Sequence, residues 1–141
     1  MMAERYNQQR NDGRRRHGSD KRHASQHVSI DTSRIKFEDI DAELFNDVAE
    51  ETARTIAGAR DRNKSTQIRK FYDEVCLWEE RTRMNPAKFD DMLPFIKMIN
   101  AKAAYANGRG YVDDNFSTLI GHCVKQVNTV ESLKTFKTFF E

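Results

Sequence analysis

No stretch of this chain is long and apolar enough to cross a membrane. A span needs about 18 apolar residues, and the longest apolar run is MLPFI at 92–96. The polar N-terminus lacks the apolar stretch of a signal peptide. Cysteine is scarce: Cys76 and Cys123 are the two present. A secreted disulfide framework is therefore excluded, and two free thiols suit a reducing, cytoplasmic setting. No run alternates in the two-residue period of a strand, no Asn-Gly pair sits between strand-like runs, and no internal repeat is visible. These absences leave a soluble, all-helical chain. Its 141 residues suffice for one domain with a core and are too few for two.

What is present is charge. Asp, Glu, Lys and Arg make up 33% of the residues, yet the formal net charge is only +2, so the whole molecule is not a basic polyelectrolyte. The balance hides segregation. Residues 1–36 form a compositional block almost without large apolar side chains, and Arg5, Arg10, Arg14, Arg15, Arg16, Lys21 and Arg22 outnumber its acids. Such a segment cannot bury enough surface to offset its chain entropy, which predicts a disordered basic arm. Basic arms often touch nucleic acid; a solubilising tail accounts for the same composition.

Residues 37–141 carry helical periods, which predict a compact bundle of about five or six helices. From Phe37 onward, Ile40, Leu44, Val48 and Ile56 mark one face, with capping-type Asp39 and Asp41 before it. A second helix starts near Ser65, with Ile68, Phe71, Tyr72 and Val75 on its apolar face. Asn85 followed by Pro86 is a further start signal, and Pro94 is expected to split the stretch it opens into a short helix and a longer one. Met92, Ile96, Ile99, Ala103 and Ala106 form the apolar stripe of the longer piece. Phe116, Leu119, Ile120, Cys123, Val124 and Val127 make the next face, and Leu133, Phe136 and Phe140 the last. Asn128 with Glu131 resembles a capping box for that final helix.

Candidates for catalysis are weak. His17, His23 and His27 lie in the arm without a cysteine or carboxylate set beside them. His122 and Cys123 are neighbours in sequence, which sets them about 100° apart on a helix and out of mutual reach. Cys123 also falls on the core stripe, where a buried inert thiol is usual. Asp113 and Asp114 read as caps. No enzymatic activity, metal or cofactor is expected.

The stretch AKAAYANGRG (101–110) first looks like a glycine-rich phosphate loop. Its glycines follow a helix instead of opening one, so the polarity is reversed. Gly108 fits the left-handed residue that ends a helix. More informative is the charge around it. No Asp or Glu occurs between Met92 and Val112, whereas Lys97, Lys102 and Arg109 do; Asn115 to Val130 again holds Lys125 and no acid. Elsewhere Arg69 with Asp73, and Lys70 with Glu74, read as ordinary i,i+4 pairs. Lys102 and Arg109 share a helix face with Tyr105 between them. An acid-free ridge of this kind suits a phosphate backbone, with the tyrosine free to stack on a base or sugar. Packing of Tyr105 at the core edge beside solvated lysines explains the same spacing.

STQIRKFYDEV (65–75), LPFIKMINAKAAYANGRG (93–110) and LKTFKTFFE (133–141) resemble, in order, the small subunit of type III-A CRISPR–Cas effectors, the Csm complex. Residues 1–60 carry no such resemblance. The resemblance implies an all-helical, non-catalytic subunit that holds target RNA, or the guide–target duplex, in antiviral defence. Its implied partners are CRISPR RNA and target RNA, the backbone subunits, the Cas10-type large subunit and other copies of itself. The family's basic positions fall on Arg69, Lys70, Lys102 and Arg109, with Tyr105 beside them. Charge and placement add Lys64, Lys97 and Lys125 as RNA-binding candidates. A scaffold that touches only proteins, and a free-standing nucleic-acid-binding regulator, are the alternatives.

Overall fold

The computed structural model describes residues 28–59 and 61–141. Most of the basic arm, including His17, His23 and His27, lies outside the described residues. Among the described residues five α-helices carry the fold: α1 (Ala49–Ala57), α2 (Ser65–Met84), α3 (Phe89–Gly108), α4 (Asp114–Lys125) and α5 (Val130–Phe140). A π-helical turn, Leu44–Val48, runs into α1, and a 3-10 turn, Pro86–Lys88, runs into α3. Among the described residues there is no strand. The expected all-α bundle is what forms.

The predicted stripes do become the core. Ile96, Ile99, Ala103 and Ala106 of α3 meet Phe116, Ile120, Cys123 and Val124 of α4, all buried. Small residues bring α3 and α4 close. At Gly121 an added Cβ would lie 3.0 Å from the Asn100 side-chain oxygen. Phe71 and Val75 of α2 pack with Leu133 and Phe136 of α5. Each fully buried Leu, Ile or Phe side chain contributes about 1.5–3 kcal/mol through apolar transfer. Between α2 and α5 also lies the buried carboxylate of Glu79, 3.5 Å from Arg83 and 3.6 Å from Lys137. Two cations offset the desolvation that a lone buried charge would suffer.

Four local expectations need correction. The first helix, expected from Phe37, starts at Leu44. Asp39 takes a left-handed φ of 50°, and the Asp41 side chain accepts the Glu43 N–H at 2.9 Å, so the chain turns here before it can coil. Ile40, expected in the core, is accordingly 49% exposed. Pro94 does not split α3; the break comes earlier, at Pro86–Lys88. Pro94 and Asp90 both face solvent, where water can serve the carbonyl that the missing N–H leaves free. The last capping box is Thr129 with Ser132, not Asn128 with Glu131. Thr129 Oγ1 accepts the Ser132 N–H at 3.1 Å and Ser132 Oγ accepts the Thr129 N–H at 3.0 Å.

The fourth correction concerns the arm. Its described part, residues 28–36, is a strap laid on the bundle and continuous with 37–43, so the expected boundary at 36/37 falls inside a packed segment. Ile35 is fully buried and Phe37 stacks on Phe136, with centroids 5.8 Å apart. One face of α4 pins the strap's backbone. Asn115 accepts the Ile30 N–H at 2.9 Å and donates to the Val28 carbonyl at 2.7 Å. Gln126 donates to the Ile35 carbonyl at 2.8 Å and accepts the Phe37 N–H at 3.0 Å. Composition averaged over the arm hid this, because two apolar residues with a paired backbone suffice to dock it.

Candidate nucleic-acid interface

The helix stop in NGRG is real, but its left-handed residue is Gly110, with φ 76°, and not Gly108. Helix α3 runs through Gly108, and Arg109 caps it in a helical conformation. The Tyr111 N–H donates to the Ala106 carbonyl and the Gly110 N–H to the Asn107 carbonyl, each at 3.0 Å. This pair of bonds is a Schellman closure, in which the residue after the glycine folds back over the helix's last turn. The closure sets Tyr111 beside Ala106 and projects Arg109 outward. The Tyr111 carbonyl in turn accepts the Asn63 N–H at 3.1 Å, which fastens the end of α3 to the approach of α2.

Arg109 lies among aromatics. Its guanidinium carbon is 5.8 Å from the ring centroids of both Tyr105 and Tyr111, and its Nη1 donates to the Tyr105 hydroxyl at 3.1 Å. These are cation–π distances. Tyr105 is 66% exposed and Tyr111 45%, so Tyr105 stands on the surface and not at the core edge. On the other flank of the helix end, Asn107 donates to Asp114 at 2.8 Å.

Helices α2 and α3 lie side by side in opposite directions. Trp78 stacks on Phe95 at 5.9 Å toward one end, and the start of α2 meets the end of α3 at the other. Between them a hollow of about 270 Å³ opens, lined by Gln67, Lys70, Phe71, Glu74, Tyr105 and Tyr111 among others. Here the chain-local reading of charge fails. Glu74 does not pair with Lys70 one turn away; it accepts from Lys102 of α3 at 2.6 Å. Lys102 is thus compensated across the helix pair. Lys70, Lys64 and Arg109 take part in no ion pair of the described residues.

The eight sequence candidates do not form one surface. Lys70, Lys102, Tyr105 and Arg109 come together around the hollow, with Lys64 at the same end, beside Asn63. Arg69 points elsewhere, 3.7 Å from Asp73 and at the rim of a second, apolar groove of about 500 Å³ between α1, α2, α4 and α5. Lys97 is committed to the fold. Its ammonium donates to the Val124 carbonyl at 2.6 Å near the end of α4, and burial holds its pKa below the usual lysine value. Lys125 is exposed at that same helix end. Gln67, Glu74 and Tyr111 were missed as members of the site. Tyr111 was legible in principle, since a Schellman stop at Gly110 places the next side chain over the helix end.

Other sequence readings fare simply. Asp113 caps α4 by accepting the Phe116 N–H at 2.9 Å. Cys123 is fully buried and burial pushes its thiol pKa up. His122 hydrogen-bonds the Ile35 carbonyl at 2.7 Å as a strap contact. No group of His, Cys, Asp and Glu that could hold a metal ion occurs among the described residues. No helix among them is long and apolar enough to cross a membrane.

The chain belongs to the Csm2 Type III-A family, whose model matches residues 39–141. It is therefore a structural subunit of the type III-A CRISPR effector complex. The match reaches 26 residues further toward the N-terminus (65 − 39) than the resemblance noted in the sequence. Comparisons with curated proteins and with solved structures give no match.

Proposed function

We propose that the joined ends of α2 and α3 hold the phosphate backbone of RNA within the effector complex. The ligand in this reading is target RNA, or its duplex with the CRISPR RNA. Backbone subunits, the Cas10-type large subunit and further copies of this chain surround it in the cytoplasm. The subunit contributes no chemistry; it holds the strand whose sequence base pairing reads.

The observation that carries the proposal is Arg109, exposed and set 5.8 Å from two tyrosine rings, on the same end as Lys70 and Lys64, which form no ion pair among the described residues. Cations that meet no carboxylate attract phosphate and release condensed counterions when they bind it. Rings beside them offer stacking surfaces. Lys102 serves this site indirectly, by neutralising Glu74. Arg69, Lys97 and Lys125 stand apart from it.

Fluorescence anisotropy with an unrelated single strand and an RNA duplex tests the proposal. The Lys70→Ala/Arg109→Ala variant should bind both more weakly than the parent, without dependence on sequence. Equal binding by parent and variant would sink it.

A second reading, contact with proteins alone, is favoured by a separate feature. Leu77, Met84, Phe95 and Met98 are exposed toward the other end of the helix pair, where Arg81 lies 5.1 Å over the Trp78 ring. Met, aromatic and Arg side chains are the types enriched at protein interfaces. Substituting Phe95 and Met98 by Ser should then impair incorporation into the complex and leave RNA affinity unchanged.

A further inference from the structure

The geometry points to the hollow between α2 and α3 as a seat for one unpaired RNA base, with the flanking phosphates held outside it. The inference rests on the RNA-holding reading above and sharpens it, since a paired base could not enter.

The lining decides what fits. Phe71 and Ala106, both buried, form an apolar floor, and the rings of Tyr105 and Tyr111 stand at its sides. The polar groups are the Gln67 amide, the Glu74 carboxylate and the Lys70 and Lys102 ammoniums. Among the described residues Glu74 is ion-paired with Lys102, at 2.6 Å, and that pair sums to zero charge. A neutral planar base meets an apolar floor, two ring faces, an acceptor suited to an exocyclic amine, and an amide that both donates and accepts. Lys70 and Arg109, at the edge, are where the adjoining phosphates would lie.

The backbone that carries Tyr111 is fixed by the Schellman closure and by its carbonyl's bond from Asn63. The Tyr105 hydroxyl accepts from Arg109 at 3.1 Å. In a duplex the base faces are covered by neighbouring pairs, so such rings distinguish single-stranded from paired RNA.

The test uses the full chain and three probes of one sequence. These are a short single strand, the same strand paired to its complement, and the same strand with abasic sites along it. Variants are Tyr105→Leu, Tyr111→Leu and, as the phosphate control, Lys70→Ala, with thermal melts by circular dichroism to verify folding. Tyr105 is exposed, so its variant keeps the core intact even if Tyr111→Leu weakens the helix stop. The parent should bind the intact single strand more tightly than either other probe. Tyr105→Leu should lower single-strand affinity about 5- to 150-fold, the usual range for one base–aromatic stack, and lower duplex affinity far less, through the lost contact with Arg109 alone. Lys70→Ala should weaken binding to all three. Equal affinity of the parent for intact and abasic strands, or an unchanged Tyr105→Leu, overturns the base seat and leaves phosphate holding in place. If the parent binds none of the probes, both readings fail.

Discussion

The Lys102 ammonium sits 2.6 Å from the Glu74 carboxylate across the α2–α3 pair, one side chain from each helix. In the RNA-holding proposal Lys102 acts on RNA through a neighbour it silences, whereas Lys70 and Arg109 act directly. Removing Lys102 alone both deletes a cation and uncovers an anion, so Lys102→Ala should weaken RNA binding. Adding Glu74→Gln to it should return affinity close to that of the parent. A double variant as weak as Lys102→Ala would make Lys102 a phosphate contact in its own right. The pair is partly exposed, and its contribution to folding, read by urea denaturation in a double-mutant cycle, should be about 0.2–1 kcal/mol.

The two glycines of NGRG should respond oppositely to alanine. Gly110 has φ 76°, a conformation that costs an L-residue about 1–2 kcal/mol, so Gly110→Ala should destabilise by that amount. Gly108 lies within the helix with nothing near its missing Cβ, so Gly108→Ala should stabilise by about 0.5–1 kcal/mol. Chemical denaturation of the two variants measures both. If Gly108→Ala were the damaging one, the helix would end where the sequence alone first places the stop.

The strap should behave as part of the fold. Ile35→Ala removes most of a fully buried side chain and should cost about 2–5 kcal/mol. Gln126→Ala leaves the Phe37 N–H without its partner and one of the two donors to the Ile35 carbonyl missing, for a loss of about 1–3 kcal/mol. Urea unfolding checks both. Losses below about 0.5 kcal/mol, the range of ordinary surface changes, would show that the bundle does not need the strap.

Much of this was legible in the sequence where a period repeats. Ile96, Ile99, Ala103 and Ala106, like Phe116, Ile120 and Cys123, return every three or four residues, and a helix has one way to bury such a stripe. The strap has no period. The backbone of Val28 and Ile30 bonds to Asn115 and that of Ile35 and Phe37 to Gln126, about 90 residues away in sequence, and no local pattern encodes that pairing. The helix stop was visible but misplaced by two residues, because both glycines satisfy composition and only the fold-back of Tyr111 onto Ala106 selects Gly110. The basic ridge was half legible. Tyr105 and Arg109 share a helix and their contact follows from spacing, while the acid that compensates Lys102 comes from another helix altogether. A stretch without acids in sequence is not a surface without acids in space. Lys97 shows the converse: its charge was visible, but its partner is a carbonyl of α4.

The central claim is that Lys70 and Arg109 meet phosphates, and the salt dependence of RNA binding tests it most directly. Affinity for a single strand would be measured across a series of salt concentrations for the parent and for Lys70→Ala/Arg109→Ala. Each phosphate contact contributes about 0.7–0.9 to the slope of log affinity against log salt. For two contacts on a single strand, at about 0.7 each, the predicted slope is shallower by about 1.4 in the variant. Coincident slopes would contradict it and move the RNA contact away from the joined ends of α2 and α3.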